Sequence, residues 1–369
     1  MIRIYIDRLP ELQAWYSGQM VPLIRSKRLP LNPRVQADPL FASFAQHLNT
    51  LSEDAARDIL LSPPKELSER YDWIREYIML CDVTAFYSSF REKHPGHGVS
   101  DAREEYIDRY WDCAFFKAAF KKANVTHKMA VRSWANLENV MRRARKSREI
   151  LDGIIEQKFD YSFLPDEIRC ALVEKIGVPV CPYCNRQYIQ PVTIDGKKRY
   201  LGDLDHILPK SFYRMFSLSL WNLTPSCKVC NQIFKKSRVE RVLNPLERGF
   251  DEDCLLVLEY QSVREIIGME PPAGMRWEIQ PSASPDIRDQ IENSLRVFRL
   301  NEIYDYHRRD IQRTLRRRYL RESLGYRKSL DRIFHIPDDP SLWYGVSLEP
   351  STFQDEMLSK AIYDTVFHN

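Results

Sequence analysis

From about residue 40 to residue 160, apolar side chains recur every three or four positions. Phe41, Phe44, Ala45, Leu48 and Leu51 form one stripe and Leu137, Val140, Met141 and Ala144 another, the period of amphipathic helices. Ser62-Pro63-Pro64 and His94-Pro95-Gly96-His97-Gly98 interrupt the pattern as turns, which makes His94 and His97 members of a polar turn. Ahead of the helices, Met1 to Asp7 alternates apolar and polar residues and predicts a short β-strand. Near Gly177-Val178-Pro179 the character changes to short β-branched runs, and the turn signal Asp195-Gly196 predicts a tight hairpin between Val192–Ile194 and Lys197–Leu201. Beyond Leu243-Asn244-Pro245, helical stretches alternate with short strands and Pro-rich connectors such as Glu270-Pro271-Pro272. Leu300, Tyr304, His307, Ile311, Leu315 and Tyr319 then mark one helix of several turns, with arginines solvating its other face and His307 partly buried in the core. The pattern describes a mainly α chain with a small α+β insert. Its three parts are a helical region over 1–160, a cysteine-bearing insert over 161–248 and a mainly helical region with a basic helix over 249–369.

Composition narrows the class. With 369 residues, 44% of them hydrophobic, the chain is long enough for two or three domains that each bury a core. Nowhere do about 18 consecutive residues escape charge, and the start lacks the unbroken apolar run of a secretory signal, so the expected location is the cytoplasm. The formal net charge of +4 is small, but the charge is segregated. Lys117 to Arg148 holds ten basic residues and the single acid Glu138, Cys181 to Arg248 twelve against five, and Asn301 to Arg332 ten against five. Such stretches suit a polyanionic partner.

Four of the eight cysteines fall as Cys181-Pro182-Tyr183-Cys184 and Cys227-Lys228-Val229-Cys230, with 42 residues between the pairs. In a reducing compartment two C-x-x-C knuckles argue for four thiolates around one tetrahedral Zn²⁺ rather than for disulfides. Cys81, Cys113, Cys170 and Cys254 stand alone and read as packing thiols. Between the knuckles, Leu204-Asp205-His206-Ile207-Leu208-Pro209-Lys210 places a carboxylate beside an imidazole at the end of a strand-like run. Asn222 follows in Trp221-Asn222-Leu223, and Asn231 directly follows the second knuckle, with Lys235 and Lys236 one turn on. Glu156-Gln157-Lys158 has the E-x-K spacing of another nuclease type but sits in a helical pattern, and no phosphate-binding G-x-x-x-x-G-K-[ST] loop occurs.

In the order Cys-x-x-Cys, Asp-His-x-x-Pro-Lys, Asn-Leu and Cys-x-x-Cys-Asn-x-x-x-Lys, residues 181 to about 240 resemble the HNH endonucleases, whose ββα-metal site is held by a structural zinc. The family's final His is here Asn231, an H-N-N version, and an amide oxygen at that position suits Mg²⁺ or Mn²⁺. The resemblance implies a nuclease core at 161–248 with His206 as general base, Asp205 and Asn231 as ligands of one Mg²⁺ and Asn222 bracing the loop behind His206. On a straight strand Asp205 and His206 point to opposite faces, so bringing both to one phosphate requires the bent loop that the resemblance supplies. Lys210, Lys235 and Lys236 are candidate contacts to backbone phosphate.

The implied activity is hydrolysis of DNA, with RNA as an open alternative substrate. A core embedded in helices resembles the HNH effectors of bacterial anti-phage systems of the Septu and retron-associated type, which commonly act beside a separately encoded ATPase. Two other readings stay open: a stand-alone restriction-type nuclease, and a non-catalytic zinc-containing subunit that binds nucleic acid or serves assembly.

Overall fold

The computed structural model describes residues 1–29, 33–96, 100–323, 325, 326, 328, 329, 332 and 339–368. His97 lies outside the described residues. The chain is mainly helical with small two-stranded sheets, and it divides into two compact units. A helical unit takes Leu9–Pro165 together with Leu208–Leu223; a cysteine unit takes Met1–Arg8, Asp166–Ile207 and Thr224–Asn369. This division differs from three consecutive parts: of the insert read at 161–248, residues 161–165 and Leu208–Leu223 fall in the helical unit, and the remainder falls with the C-terminal region.

In the helical unit, polar caps start the helices where the apolar stripes begin. Asp38 accepts from the Leu40 amide, Ser52 from Ala55, Thr126 from Met129 and Ser133 from Asn136, each satisfying a donor the helix cannot satisfy itself. Both stripes face inward: Phe41, Phe44, Ala45 and Leu48 are buried on Pro39–Asn49, and Leu137, Val140, Met141 and Ala144 are fully buried on Trp134–Phe159. Lys158, in the discarded E-x-K triplet, is buried on that same helix and donates to the Ile24 carbonyl. His94 caps the helix Asp72–Lys93 and packs on Phe90 with ring centroids 5.0 Å apart.

The excursion Leu208–Leu223 belongs to this unit because its apolar residues are buried and its backbone is tied. Met215, Phe216 and Leu218 are fully buried, Tyr16 donates through its hydroxyl to the Leu218 carbonyl at 2.7 Å, and Tyr213 donates to Asp82 at 2.6 Å.

In the cysteine unit, β1 (Pro191–Ile194) and β2 (Lys197–Tyr200) form the expected hairpin, paired antiparallel with Ile194 opposite Lys197. Asp195 and Gly196 both take positive φ, 51° and 72°, the backbone of the tight turn that matches strand twist. Strands β3 (Asp203–His206) and β4 (Leu223–Ser226) pair with each other, and β5 (Cys254–Glu259) pairs antiparallel with β6 (Gly274–Ile279).

Two expectations are corrected. Met1 to Asp7 is not a strand, although Met1, Ile2 and Ile4 are buried. The Ile2 and Ile4 amides donate to the carbonyls of Pro182 and Pro245, and prolines have no N–H to return the bond, so no ladder forms. The stripe from Leu300 to Tyr319 is broken into two helices, Leu300–Asp305 and Arg308–Glu322. Tyr306 is exposed at the break, and His307, half-buried, sits in a polar relay: its Nε2 accepts from Arg186 Nε at 2.7 Å and its Nδ1 meets Asp310 at 2.9 Å. Arg317 and Arg318 do more than solvate the second helix, donating to the carbonyls of Tyr344 and Thr365.

One buried acid in the helical unit generates a pH test. Burial pushes the Asp152 carboxyl up to about 6 from an ordinary 3.8, with nearby Arg148 and a 3.2 Å hydrogen bond from Tyr77 pulling partly back. A raised carboxyl contributes fully below its unfolded value and loses that contribution as pH climbs through its folded value. Wild type should therefore lose on the order of 2–3 kcal/mol relative to Asp152→Asn between pH 4 and pH 7. Denaturant unfolding of both proteins at the two pH values checks this; parallel curves would mean the carboxyl is not buried as described.

Candidate metal centre and active site

The two knuckles converge. The sulfurs of Cys181, Cys184, Cys227 and Cys230 all lie within 4.8 Å of one another, and all four residues are buried. The Cys184 and Cys227 sulfurs are 4.0 Å apart. Four ligands at about 2.3 Å around a tetrahedral zinc stand roughly 3.8 Å from each other, so the cluster can hold a metal ion and fits that one. The remaining cysteines are buried singly, as packing thiols.

The electrostatics of the cluster ask for a cation. Burial pushes the Cys181 thiol well above its ordinary value, whereas hydrogen bonds from Cys181, Cys184 and Cys230 hold Cys227 below its own. Four sulfurs in such a place cannot ionise together unless a positive ion compensates them. The Cys230 amide also donates to the Cys227 sulfur at 3.4 Å, fixing the second knuckle.

Downstream of that knuckle the chain winds into a π-turn, Val229–Lys235, closed by the Lys236 amide donating to the Asn231 carbonyl at 2.7 Å. This element addresses β3 twice. Near its start, Asn231 Nδ2 and Gln232 Nε2 donate to Asp203 Oδ2 at 3.1 and 2.9 Å. At its end, Lys235 Nζ donates to Asp205 Oδ1 at 3.1 Å and to the His206 carbonyl at 2.6 Å. The second oxygen of Asp205 accepts from the Tyr183 hydroxyl at 2.6 Å.

The residues named from sequence fall into three groups. His206 sits at the end of β3, 8% exposed. Asn222, fully buried in the helical unit, clamps the backbone of Leu208, two positions along the chain from His206: its Oδ1 accepts from the Leu208 amide at 2.7 Å and its Nδ2 donates to the Leu208 and Phe216 carbonyls. That is a bracing role. Asp205 and Asn231 do not form the expected ligand pair, since Asp205 is 3% exposed with both oxygens engaged and Asn231 turns its amide to Asp203. The donor set given to a catalytic cation therefore does not fit as the chain stands.

Among the lysines, Lys210 and Lys236 are exposed, with Lys210 in the helical unit 5.0 Å from the Tyr161 ring. Lys235 is not a phosphate contact: at 1% exposure it is the buried counter-ion of Asp205. Sequence reasoning missed Asp203, Gln232 and Tyr183. Asp203 stands two residues before Asp205, the spacing that puts both on one face of a strand, and Tyr183 lies inside the first knuckle.

The metal centre is tested by composition. The wild-type chain should carry one zinc per chain, and Cys227→Ser should retain less than a tenth of it, both read by elemental analysis on gel-filtered protein; undiminished zinc in the variant would sink the site. No protein-family model, curated protein or solved structure gives a significant match to the chain.

Proposed function

We propose that the chain is an HNH-type endonuclease that hydrolyses DNA phosphodiester bonds with His206 as general base and requires Mg²⁺ or Mn²⁺. The observation that carries the reading is the local architecture. A strand ending in Asp-His pairs with a second strand, and the latter runs into a helical turn whose base is a four-cysteine metal cluster. That order of elements around these residues supports the ββα-metal resemblance.

In this reading, neutral His206 takes a proton from water as the water oxygen attacks phosphorus. The bond from phosphorus to the 3′ oxygen breaks, leaving a 5′-phosphate and, once that oxygen is protonated, a 3′-hydroxyl. A divalent cation supplies positive charge to the phosphoryl oxygens when bound. Asp205 receives no ligand role here, because Tyr183 and Lys235 hold its oxygens. Asn222 keeps Leu208 in place, and exposed Lys236 meets backbone phosphate; Lys210, exposed on the helical unit, is a separate candidate contact.

We further propose that the protein is a nuclease effector of anti-phage defence acting beside a separately encoded ATPase, supported by the resemblance alone; the lack of a P-loop sequence in this chain is compatible with such a partner. The neutralised Asp205 is what favours the other reading, a zinc-containing subunit that binds nucleic acid without cutting it.

Plasmid nicking separates them. Zinc-loaded wild type in Mg²⁺ or Mn²⁺ should nick, EDTA should stop it, and His206→Ala should lose at least about a hundredfold in rate while keeping its zinc. Equal, salt-sensitive DNA binding by both proteins with no cleavage by either would assign the non-catalytic role.

A further inference from the structure

We propose that the β1–β2 ribbon of the cysteine unit is an arm that lies in the major groove of duplex DNA, with Lys197 and Arg199 on phosphates and Val192 and Ile194 against base edges. The proposal rests on the nucleic-acid-binding part of the proposed function and supplies the element that grips the substrate.

The antiparallel register gives the ribbon two faces. Pro191 stands opposite Tyr200 and Thr193 opposite Lys198 on one; Val192 stands opposite Arg199 and Ile194 opposite Lys197 on the other. The first face is the anchored one. Lys198 Nζ pairs with Glu174 at 2.6 Å on the helix Asp166–Ile176, and Cys170 of that helix donates through its sulfur to the Lys198 carbonyl at 3.7 Å. Tyr200 donates to the Asp203 carbonyl at 3.3 Å, and a Cβ at Gly202 would run into the Tyr200 ring and the Ser226 carbonyl, so the root of the ribbon is pressed onto β3 and β4.

The second face is uncovered. Val192 is 36% exposed and Ile194 42%, and Lys197 and Arg199 are exposed and make no side-chain ion pair or hydrogen bond with a described residue. A connector that only joined the first knuckle to β3 gains nothing from two β-branched apolar side chains in water. Addition of a further strand is opposed by Lys197-Lys198-Arg199 along one edge, because charged edge side chains block such pairing. Charge favours a polyanion instead: the ribbon carries three cations against the single acid Asp195 in its turn. Two strands about 4.8 Å apart form a ribbon that a B-form major groove roughly 12 Å wide admits, whereas the deep, narrow major groove of A-form RNA does not. His206 follows Arg199 by seven residues, at most about 25 Å of extended chain, so the ribbon and the general base reach one duplex within a single turn of roughly 34 Å.

The test measures binding apart from cleavage. Zinc-loaded full-length protein is titrated into a fluorescent DNA duplex of about two turns, without Mg²⁺ or Mn²⁺ and at several salt concentrations, with zinc content and thermal melting as folding controls. Lys197→Gln/Arg199→Gln should weaken binding at least about tenfold and flatten the slope of log affinity against log salt by about 2. Val192→Thr/Ile194→Thr should weaken it at least about threefold and leave the slope unchanged. Lys65→Gln/Lys93→Gln, the same loss of charge at exposed positions of the helical unit, should leave affinity within about twofold of wild type. An RNA duplex of the same sequence should bind at least about tenfold more weakly than the DNA. The assignment is overturned if both ribbon variants bind DNA like wild type; a face kept for a second copy of the chain gives that result, with Val192→Thr/Ile194→Thr breaking up an oligomer on gel filtration. Equal affinity for the two duplexes overturns the groove placement. If the ribbon variants bind normally while wild type nicks plasmid, the nuclease reading survives alone. If they lose DNA while wild type binds it and nicks nothing, the ribbon stands and the non-catalytic reading replaces the nuclease; if wild type binds no DNA, both fall.

Discussion

Five consecutive residues, Pro182 to Arg186 at the end of the first knuckle, tie distant parts of the cysteine unit together. The Pro182 carbonyl accepts from Ile2, Tyr183 donates to Asp205, and the Cys184 carbonyl accepts from the Tyr304 hydroxyl at 2.8 Å. Asn185, in the left-handed conformation at φ 50°, binds the carbonyls of Phe353 and Glu356 and the hydroxyl of Ser359, and Arg186 donates to His307. Small polar side chains such as Asn tolerate that conformation best. A metal held by these sulfurs would therefore be coupled to contacts spread across the whole unit and not to a local loop.

What the sequence made legible was whatever obeys a local rule. The two helix stripes of the N-terminal region, the Asp-Gly hairpin and the paired knuckles each follow from period, turn chemistry or ligand spacing, and each appears where the pattern put it. The N-terminal segment failed because alternation reports which side chains are buried and not what the amides pair with; here the acceptors are prolines. The break at Tyr306–His307 failed because a half-buried imidazole on an apolar stripe looks like core until Arg186, 121 residues away in sequence, is placed against it.

The candidate site shows the same limit in its chemistry. Order and spacing singled out Asp205, His206, Asn222 and Asn231 as candidates, and the three backbone hydrogen bonds of Asn222 tie down the Leu208 segment. Spacing cannot say which of two acids on one strand face is paid for by a buried cation. Lysine reads as solvent-facing in any sequence, and Lys235 is buried because the π-turn aims it inward, 30 residues from its partner.

A mechanical line therefore runs from the four-cysteine cluster to the backbone of His206. The second knuckle starts the π-turn, the π-turn delivers Lys235, and Lys235 grips both Asp205 and the backbone of His206, while Tyr183 from the first knuckle closes on Asp205 from the other side. Both knuckles thus reach the same carboxylate, one by a neutral donor and one by a charged donor. A buried ion pair adds little net stability over an apolar substitute, but it tolerates only a narrow range of positions once formed. Within the proposed function, that rigidity is its use: a base that must take a proton in line with attack needs its strand held to a fraction of an ångström, and an acid committed to holding the strand is not free to hold a cation as well.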